Sequence, residues 1–401
     1  MLENDYVTRV LNSPAEVPAT AWNALMADQG GYARHPFMRH EYLAALHHSG
    51  SALPRTGWTP RWFTLWQGDE VVAACALYLK SHSYGEYVFD WAWANAYEQH
   101  ALRYYPKAVV AAPFTPVPGP RLLARSPAAR QALVQAVAQW CASEGLSSLH
   151  LLFVSEDDLK ACTDAGLMPR HTVQFHWHNQ TPDDGTASPS AFTDFGHFLA
   201  SLSQDKRKKI RQERRKVQEA GVKFRWARGS DITEADWDFF YRCYERTYLE
   251  HGNAPYLTRD FFMRMAQTLP EHWLLFIAER EGRAIASSLI GLGLHGEEGK
   301  ATVAFGRYWG ALERVDCLHF EACYYQPIEW CIAHGVQRFE GGAQGEHKMA
   351  RALLPLMTHS AHWLAHPAFA DAVQRFLDRE GAGVQHYLDD LRQRSPFRQG
   401  S

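Results

Sequence analysis

The chain has 401 residues, 46% of them hydrophobic and 21% charged, with a formal net charge of −3. This composition is that of a globular protein with room for more than one core. It excludes a disordered chain and a globally basic nucleic-acid binder, so any anion-binding surface is local.

In chain order, helical patterns cover residues 21–29 and 40–49. Residues 61–79 hold two apolar runs about Gln67-Gly68-Asp69-Glu70, which reads as a β-hairpin. The aromatic run 85–93 follows as a strand candidate. Residues 104–121 carry five prolines and read as an extended loop of fixed shape, of the kind that walls a pocket. An amphipathic helix over 127–144 stops at Gly145, and a buried strand covers 149–154. After the polar segment 179–189, the second half repeats the order. A hairpin over 273–294 turns at Arg280-Glu281-Gly282-Arg283, and a strand spans 301–309. A helix over 317–334 stops at Gly335, and a strand covers 336–341. Beyond His366 the apolar spacing makes two amphipathic helices.

The order repeats because the sequence echoes itself. QWCASEGLSSLHLLFVS at 139–155 is matched 190 positions later by EWCIAHGVQRFEGGAQG, with Trp140/Trp330, Cys141/Cys331 and Gly145/Gly335 in register. Residues 167–177 align at an offset of 186 with 353–363, sharing Pro169/Pro355, Thr172/Thr358, His176/His362 and Trp177/Trp363. Two matches at similar spacing imply a duplicated unit of roughly 170–190 residues. The expected organisation is a domain over 1–178, a linker over 179–192, a second domain over 193–365 that includes a basic helix at 203–221, and a helical tail over 366–401. Each copy is expected to be a mixed α/β (α+β) unit with a mainly antiparallel sheet flanked by helices.

Several stretches carry chemistry. DKRKKIRQERRK at 205–216 supplies eight cations, among them Arg207, Arg211 and Arg214. An apolar stripe from Phe195 to Val217 anchors this helix, and its outer faces fit an anionic partner such as RNA, a nucleotide or a lipid carrier. A solvated helix face would carry the same pattern. In GGAQGEHK at 341–348, Gly341, Gly342 and Gly345 let backbone approach a ligand, while Glu346, His347 and Lys348 offer a base, a proton shuttle and a cation. The spacing is not that of a phosphate loop. YGEYVFDWAWANAY at 84–97 sets Glu86 and Asp90 among aromatics, where burial raises a carboxyl pKa and makes a proton acceptor; pairing with a cation is the alternative. His171, His176 and His178 lack neighbouring carboxylate or thiolate ligands, so no metal is expected. No G-x-S-x-G elbow and no G-x-G-x-x-G after a strand occurs. The seven cysteines are odd in number and lack C-x-x-C spacing, reading as buried thiols of a reducing compartment. The N-terminus has acids and prolines where a signal peptide needs an apolar core, and no apolar run approaches the roughly 18 residues of a membrane helix. The expected location is cytoplasmic, free or peripheral at the inner membrane.

The words GEYVFDWAWANAY, YYPKAVVAAPFTPVPGPRLL, LSQDKRKKIRQERRKVQEAGV and HFEACYYQPIEWCIAHGVQRFEGGAQGEHKMARALLP resemble the Fem-like branch of the GNAT acyltransferase superfamily, the bacterial peptidoglycan biosynthesis/recognition proteins. The resemblance covers residues 35–367. It implies tandem GNAT-like domains and transfer of an acyl or aminoacyl group to an amine. Fem relatives take the amino acid from aminoacyl-tRNA and add it to a lipid-linked peptidoglycan precursor. Two departures leave the donor open between aminoacyl-tRNA and acyl-CoA, with no permanently bound cofactor. The pyrophosphate loop of acetyl-CoA enzymes is not visible, since the helix at 127 opens with RSPAAR, and the long coiled-coil arm of some Fem proteins is absent. The expected catalytic residues are Glu346, Glu86, Asp90 and His347. Lys348, Arg351, Arg307, Tyr308, Lys107, Arg121, Tyr105, Arg207, Arg211, Arg214, Gly341, Gly342 and Gly345 are expected to bind donor or acceptor, with tRNA or lipid-linked precursor on the basic helix. A non-catalytic binder of a cell-wall precursor or RNA end, and a conventional acetyl-CoA enzyme acting on a small amine, are the competing readings. FEGGAQGEHK in the second copy, against LHLLFVSEDD in the first, favours a glycine-lined site in the C-terminal copy.

Overall fold

A computed structural model describes residues 6–32, 35–182, 188–296, 299–343 and 345–398. The first half of the chain forms β1 (Val7–Leu11), α1 (Ala19–Ala27), α2 (His40–His48), β2 (Trp58–Gln67), β3 (Glu70–Lys80), α3 (Trp91–Gln99), β4 (Lys107–Val110), β5 (Leu123–Ala124), α4 (Pro127–Ser143), β6 (Ser148–Val154), α5 (Glu156–Asp164) and β7 (Met168–His178). The second half forms α6 (Phe195–Ser201), α7 (Gln204–Glu219), β8 (Val222–Arg228), α8 (Glu234–Glu250), α9 (Arg259–Thr268), β9 (Trp273–Arg280), β10 (Arg283–His295), β11 (Lys300–Ala311), α10 (Leu318–Phe320), α11 (Gln326–Ala333), β12 (Arg338–Ala343), β13 (Leu354–Leu364) and α12 (Pro367–Gln393). Among the described residues, no helix is long and apolar enough to cross a membrane.

The chain divides into two compact units. Unit 1 is Met1–Thr172 with Met357–His386, and unit 2 is Val173–Leu356 with Tyr387–Ser401. In unit 1 the strands run β1-β2-β3-β4-β6-β13. The β4–β6 pairing is parallel, Ala108–Val110 against Leu149–Leu151, while β1–β2, β2–β3, β3–β4 and β6–β13 are antiparallel. A parallel pair needs a crossover, and α4 supplies it. Ser126 caps α4 by accepting the Ala129 N–H, Pro127 fits its first turn, and Gly145 at φ +67° ends it. The buried face of α4, Leu133, Val134 and Val137, packs with Phe63, Leu77, Leu149 and Leu151 in one core.

Unit 2 has the same plan. Its strands run β7-β12-β11-β10-β9-β8, with β11–β12 the parallel pair and the 318–333 helical segment as crossover, stopped by Gly335 at φ +66°. Its core gathers Trp177, Phe198, Leu274, Ile328 and Phe339. The first sequence echo is therefore the end of each crossover helix and the parallel strand after it. The second echo is β7 and β13, the strands that close each sheet. β13 closes unit 1 against β6 and β7 closes unit 2 against β12, so each unit is finished by a strand from the other half of the sequence.

Three local expectations are corrected. Residues 85–93 form no strand: the chain turns through Tyr87 at φ +63° and enters α3 at Trp91. Trp93 and Tyr97, four apart, are the buried face, and the intervening alanines favour helix, so the period there is helical. The tail is one helix, α12, because an apolar stripe including Val373, Leu377, Leu388 and Leu391 continues past Gly381 and Gly383. That stripe outweighs about 1 kcal/mol per glycine. The 317–334 helix is broken by a π turn at Glu321–Tyr325, just before Pro327, which has no N–H for the helical ladder.

Candidate active site

In unit 2, β11 and β12 pair only from Val303–Phe305 to Arg338–Glu340. Beyond that point β11 stays on β10 and β12 continues to Ala343, so the parallel strands part company. A register shift between Leu289 and Ile290 leaves Arg307 as the extra residue of a bulge at this place. The parting opens a cavity of about 130 Å³ lined by Gly306, Arg307 and Tyr308 from β11, Gly341 from β12, and His319 and Tyr324 from the crossover helix. Gly341 is required by close approach, because a Cβ there would stand 3.1 Å from the Phe175 carbonyl oxygen.

Proton-accepting groups adjoin this cavity. The His347 Nε2 lies 3.4 Å from the Tyr324 hydroxyl. Burial, with Arg351, Lys348 and Lys209 nearby, lowers the His347 pKa. Burial lowers His319 to about 4, helped by His347, Arg351 and Lys348, so both imidazoles are neutral at pH 7. Lys348 is buried and donates to the Gly342 carbonyl at 3.1 Å. Burial pulls its pKa down to about 8.

The equivalent place in unit 1 is closed. After Val110 the proline-rich segment crosses the gap; Gly119 bridges to Val154 and its N–H donates to the Phe153 carbonyl at 3.0 Å. Arg121 is fully buried and clamps this segment, donating to the carbonyls of Leu152 at 2.9 Å and Val117 at 2.6 Å. The loop thus fills the space that stands open in unit 2.

Unit 1 instead holds a sealed polar cluster that joins Glu86, Asp90, Lys107 and Tyr105. The Lys107 ammonium donates to Glu86 Oε2 at 2.7 Å, to Ser83 Oγ at 2.8 Å and to Asp90 Oδ2. Ser83 meets the Tyr105 hydroxyl at 2.8 Å, and Tyr104 donates to Asp90 at 2.6 Å. One ammonium serves two carboxylates, and their pKa values separate. Burial, reinforced by Asp90, raises Glu86 to about 7 against the pull of Lys107. Burial also penalises the Asp90 anion, but Lys107 and His150 outweigh it and hold Asp90 at about 2. Behind it, His150 Nδ1 faces His362 Nδ1 at 2.7 Å. In unit 2 the matching pair of facing positions is Glu340 and His176.

The remaining expected residues are apart from these groups or engaged elsewhere. Glu346 is half exposed, accepting from the Tyr387 hydroxyl at 2.9 Å and from Arg394 at 3.4 Å. Arg351 is buried, its Nη2 shared between the two Glu213 oxygens at 2.9 and 3.0 Å and its Nη1 donating to the His347 carbonyl at 2.7 Å. Arg214 bridges Glu321 and Glu329. Arg207 reaches the Leu202 carbonyl at 3.5 Å, and Arg211 is exposed. Gly342 and Gly345 adopt positive φ, +77° and +104°, between Gly341 and the Glu346 turn. Sequence reasoning missed His319, Tyr324, Tyr104 and His150. Only His150 carried a signal, since it stands 190 positions before Glu340 in the echo.

The model of the FemAB-like family, described as peptidoglycan biosynthesis/recognition, matches residues 13–399. The chain belongs to the FemAB-like family. Among solved structures this FemAB-like chain is similar to the crystal structure of FemX, with a TM-score of 0.52 at 10% identity over 91% of this chain and 100% of that one. The C-terminal domain of a putative lysylphosphatidylglycerol synthetase from Agrobacterium fabrum gives 0.52 at 11% identity over 89% and 94%. L-PGS from Bacillus licheniformis gives 0.52 at 10% over 90% and 97%. At these identities the likeness is one of fold, and the two mixed α/β units expected from the resemblance are the fold of this FemAB-like protein. No curated protein matches the chain by sequence.

Proposed function

We propose that this chain transfers an acyl or aminoacyl group from an activated donor, aminoacyl-tRNA or acyl-CoA, to an amine of a peptidoglycan precursor. The observation that carries this reading is the glycine-lined opening between β11 and β12 in unit 2, at a strand bulge and beside neutral proton acceptors. The family's description as peptidoglycan biosynthesis/recognition supports the acceptor class.

In the proposed reaction the acceptor ammonium loses a proton and its lone pair attacks the donor ester or thioester carbonyl. The C–N bond forms, backbone N–H groups at the divergence hold the oxyanion, and the C–O or C–S bond breaks as the leaving group takes up a proton. Holding donor and acceptor together supplies much of the rate. His347 is our first choice of base, acting beside Tyr324. Glu346 stands at the surface with Arg394, and Glu86 is sealed with Lys107, which makes them weaker choices. Arg307 and Tyr308 are the proposed donor contacts, and the exposed cations of α7, Arg211 among them, the proposed phosphate contacts.

The purified protein is to be offered labelled aminoacyl-tRNA and labelled acyl-CoA separately, with lipid-linked precursor or simple amines. One donor is expected to pass its label into an amide, and sensitivity to ribonuclease identifies tRNA. His347→Ala is expected to lower kcat by about 10²-fold or more without loss of fold. Consumption of neither donor with any acceptor would overturn the reading in favour of a binding protein.

A further inference from the structure

Unit 2 presents a half-exposed tryptophan at the edge of a surface pocket. Trp226 lies on β8, the last strand in the unit's order, and is 49% exposed. Its ring stands at 79° to that of Trp330, with centroids 6.0 Å apart, and at 89° to that of His334 at 5.5 Å. Trp330 and His334 are stacked at 4.0 Å, and the His334 Nδ1–H donates to the Trp330 carbonyl, which locks the imidazole. With the turns at Gly229–Asp231 and Pro270–His272 these rings enclose a pocket of about 390 Å³, whose charged lining is Arg228, Asp231 and Glu271. Arg228 is steadied by donating to the Gly299 carbonyl at 3.2 Å.

The duplication supplies an internal control. Trp226 stands opposite Phe276 in the β8–β9 ladder. The matching ladder of unit 1 has Val10 opposite Phe63. There Trp140, the counterpart of Trp330, packs edge-on to Phe63 at 5.1 Å, and Glu144 takes the place of His334. Unit 1 thus has a valine where unit 2 has Trp226 and a glutamate where it has His334, so the three-ring aromatic corner of unit 2 has no counterpart at the matching place in unit 1.

We propose that this pocket binds a hexopyranose ring, as a free sugar or as one residue of a glycan. A half-exposed indole offers its electron-rich face to the C–H face of a sugar ring, and Asp231, Glu271 and Arg228 supply acceptors and donors for neighbouring hydroxyls. The volume falls within the range of small-ligand sites. Near-perpendicular rings provide no parallel slot for a nucleobase. The site stands independently of the transfer reaction and needs no donor.

The full chain is to be titrated with N-acetylglucosamine, with its β-1,4-linked tetramer, with uridine monophosphate and with tetramethylammonium, following tryptophan fluorescence and heat. Saturable binding of the sugars is expected, with the tetramer against the monomer distinguishing a glycan residue from a free sugar. Trp226→Ala is expected to weaken it by about tenfold, the scale of one aromatic contact. Trp226→Phe is expected to retain most of it, and Asp231→Asn to weaken it several-fold. Because Trp226 is half exposed, the melting temperature of these variants is expected to stay near that of the parent. Absence of saturable sugar binding, sugar binding unchanged in both Trp226→Ala and Asp231→Asn, or tighter binding of either control ligand would overturn the proposal.

Discussion

Lys107 holds two carboxylates in a site where none of the three side chains meets water appreciably. Removing it leaves the buried Asp90 carboxylate without its ammonium and the Glu86 carboxyl without its donor, so Lys107→Met is expected to cost about 3–5 kcal/mol, read from the denaturation midpoint. The same cluster sets a pH dependence. Glu86 is raised from 4.5 to about 7 in the folded protein. A carboxyl that holds its proton more tightly when folded contributes stability that is complete below 4.5 and is lost as pH rises through about 7. Glu340, raised by burial to about 7 against the pull of Arg338, acts over the same window in unit 2. Glu86→Gln is therefore expected to flatten part of the fall in melting temperature between pH 4.5 and 7, and Glu86→Gln with Glu340→Gln to flatten more. A profile unchanged by both substitutions would mean that these carboxyls are ionised throughout. Arg351 follows the Lys107 logic: it was expected to bind donor, yet its guanidinium is spent on Glu213. Arg351→Met is expected to destabilise by about 3 kcal/mol or more, rather than to change a Michaelis constant alone.

At the scale of elements, the two crossover helices end on glycines in the left-handed region, where an alanine is strained. No atom outside the chain neighbours lies within 4 Å of a Cβ placed at Gly145, so the cost of Gly145→Ala is purely that of the backbone, about 1 kcal/mol. Thermal melts of Gly145→Ala and Gly335→Ala are expected to show similar small losses. These caps and the two hairpin turns were legible because a few adjacent residues decide them. The helix at 91–99 was not, because its aromatic run alternates like a strand as well as repeating like a helix. What settles it is burial of Trp93 and Tyr97 against residues distant in sequence, Leu364 and Val373. The glycine-lined cavity was half legible. Gly341, Arg307 and Tyr308 came from the strand ends, but His319 and Tyr324 reach it only because the crossover helix packs across that opening.

At the scale of the molecule, each unit's sheet is completed by a strand from the other half of the chain. A fragment of residues 1–178 would therefore carry β6 without β13, leaving an apolar strand edge uncovered. That fragment alone is expected to be insoluble, and coexpression with residues 179–401 to return less than the intact chain, because β7 stays on the first piece. Two independently soluble, cooperatively melting fragments would contradict this.

The duplication, the order of its elements, the caps and turns, and the membership of the Fem-like fold were determined by the sequence itself. The duplication, the element order, the caps and the turns depend on local periodicity or on a repeat visible within a single chain, and the family rests on resemblance to known sequences. Only the tertiary structure decided which copy keeps an open cavity, because a proline-rich segment closes the gap in unit 1 by long-range hydrogen bonds. It also decided which charged residues are free to meet a ligand. Lys107, Arg121 and Arg351 are consumed by partners 4 to 138 positions away, pairings that spacing along the chain does not encode.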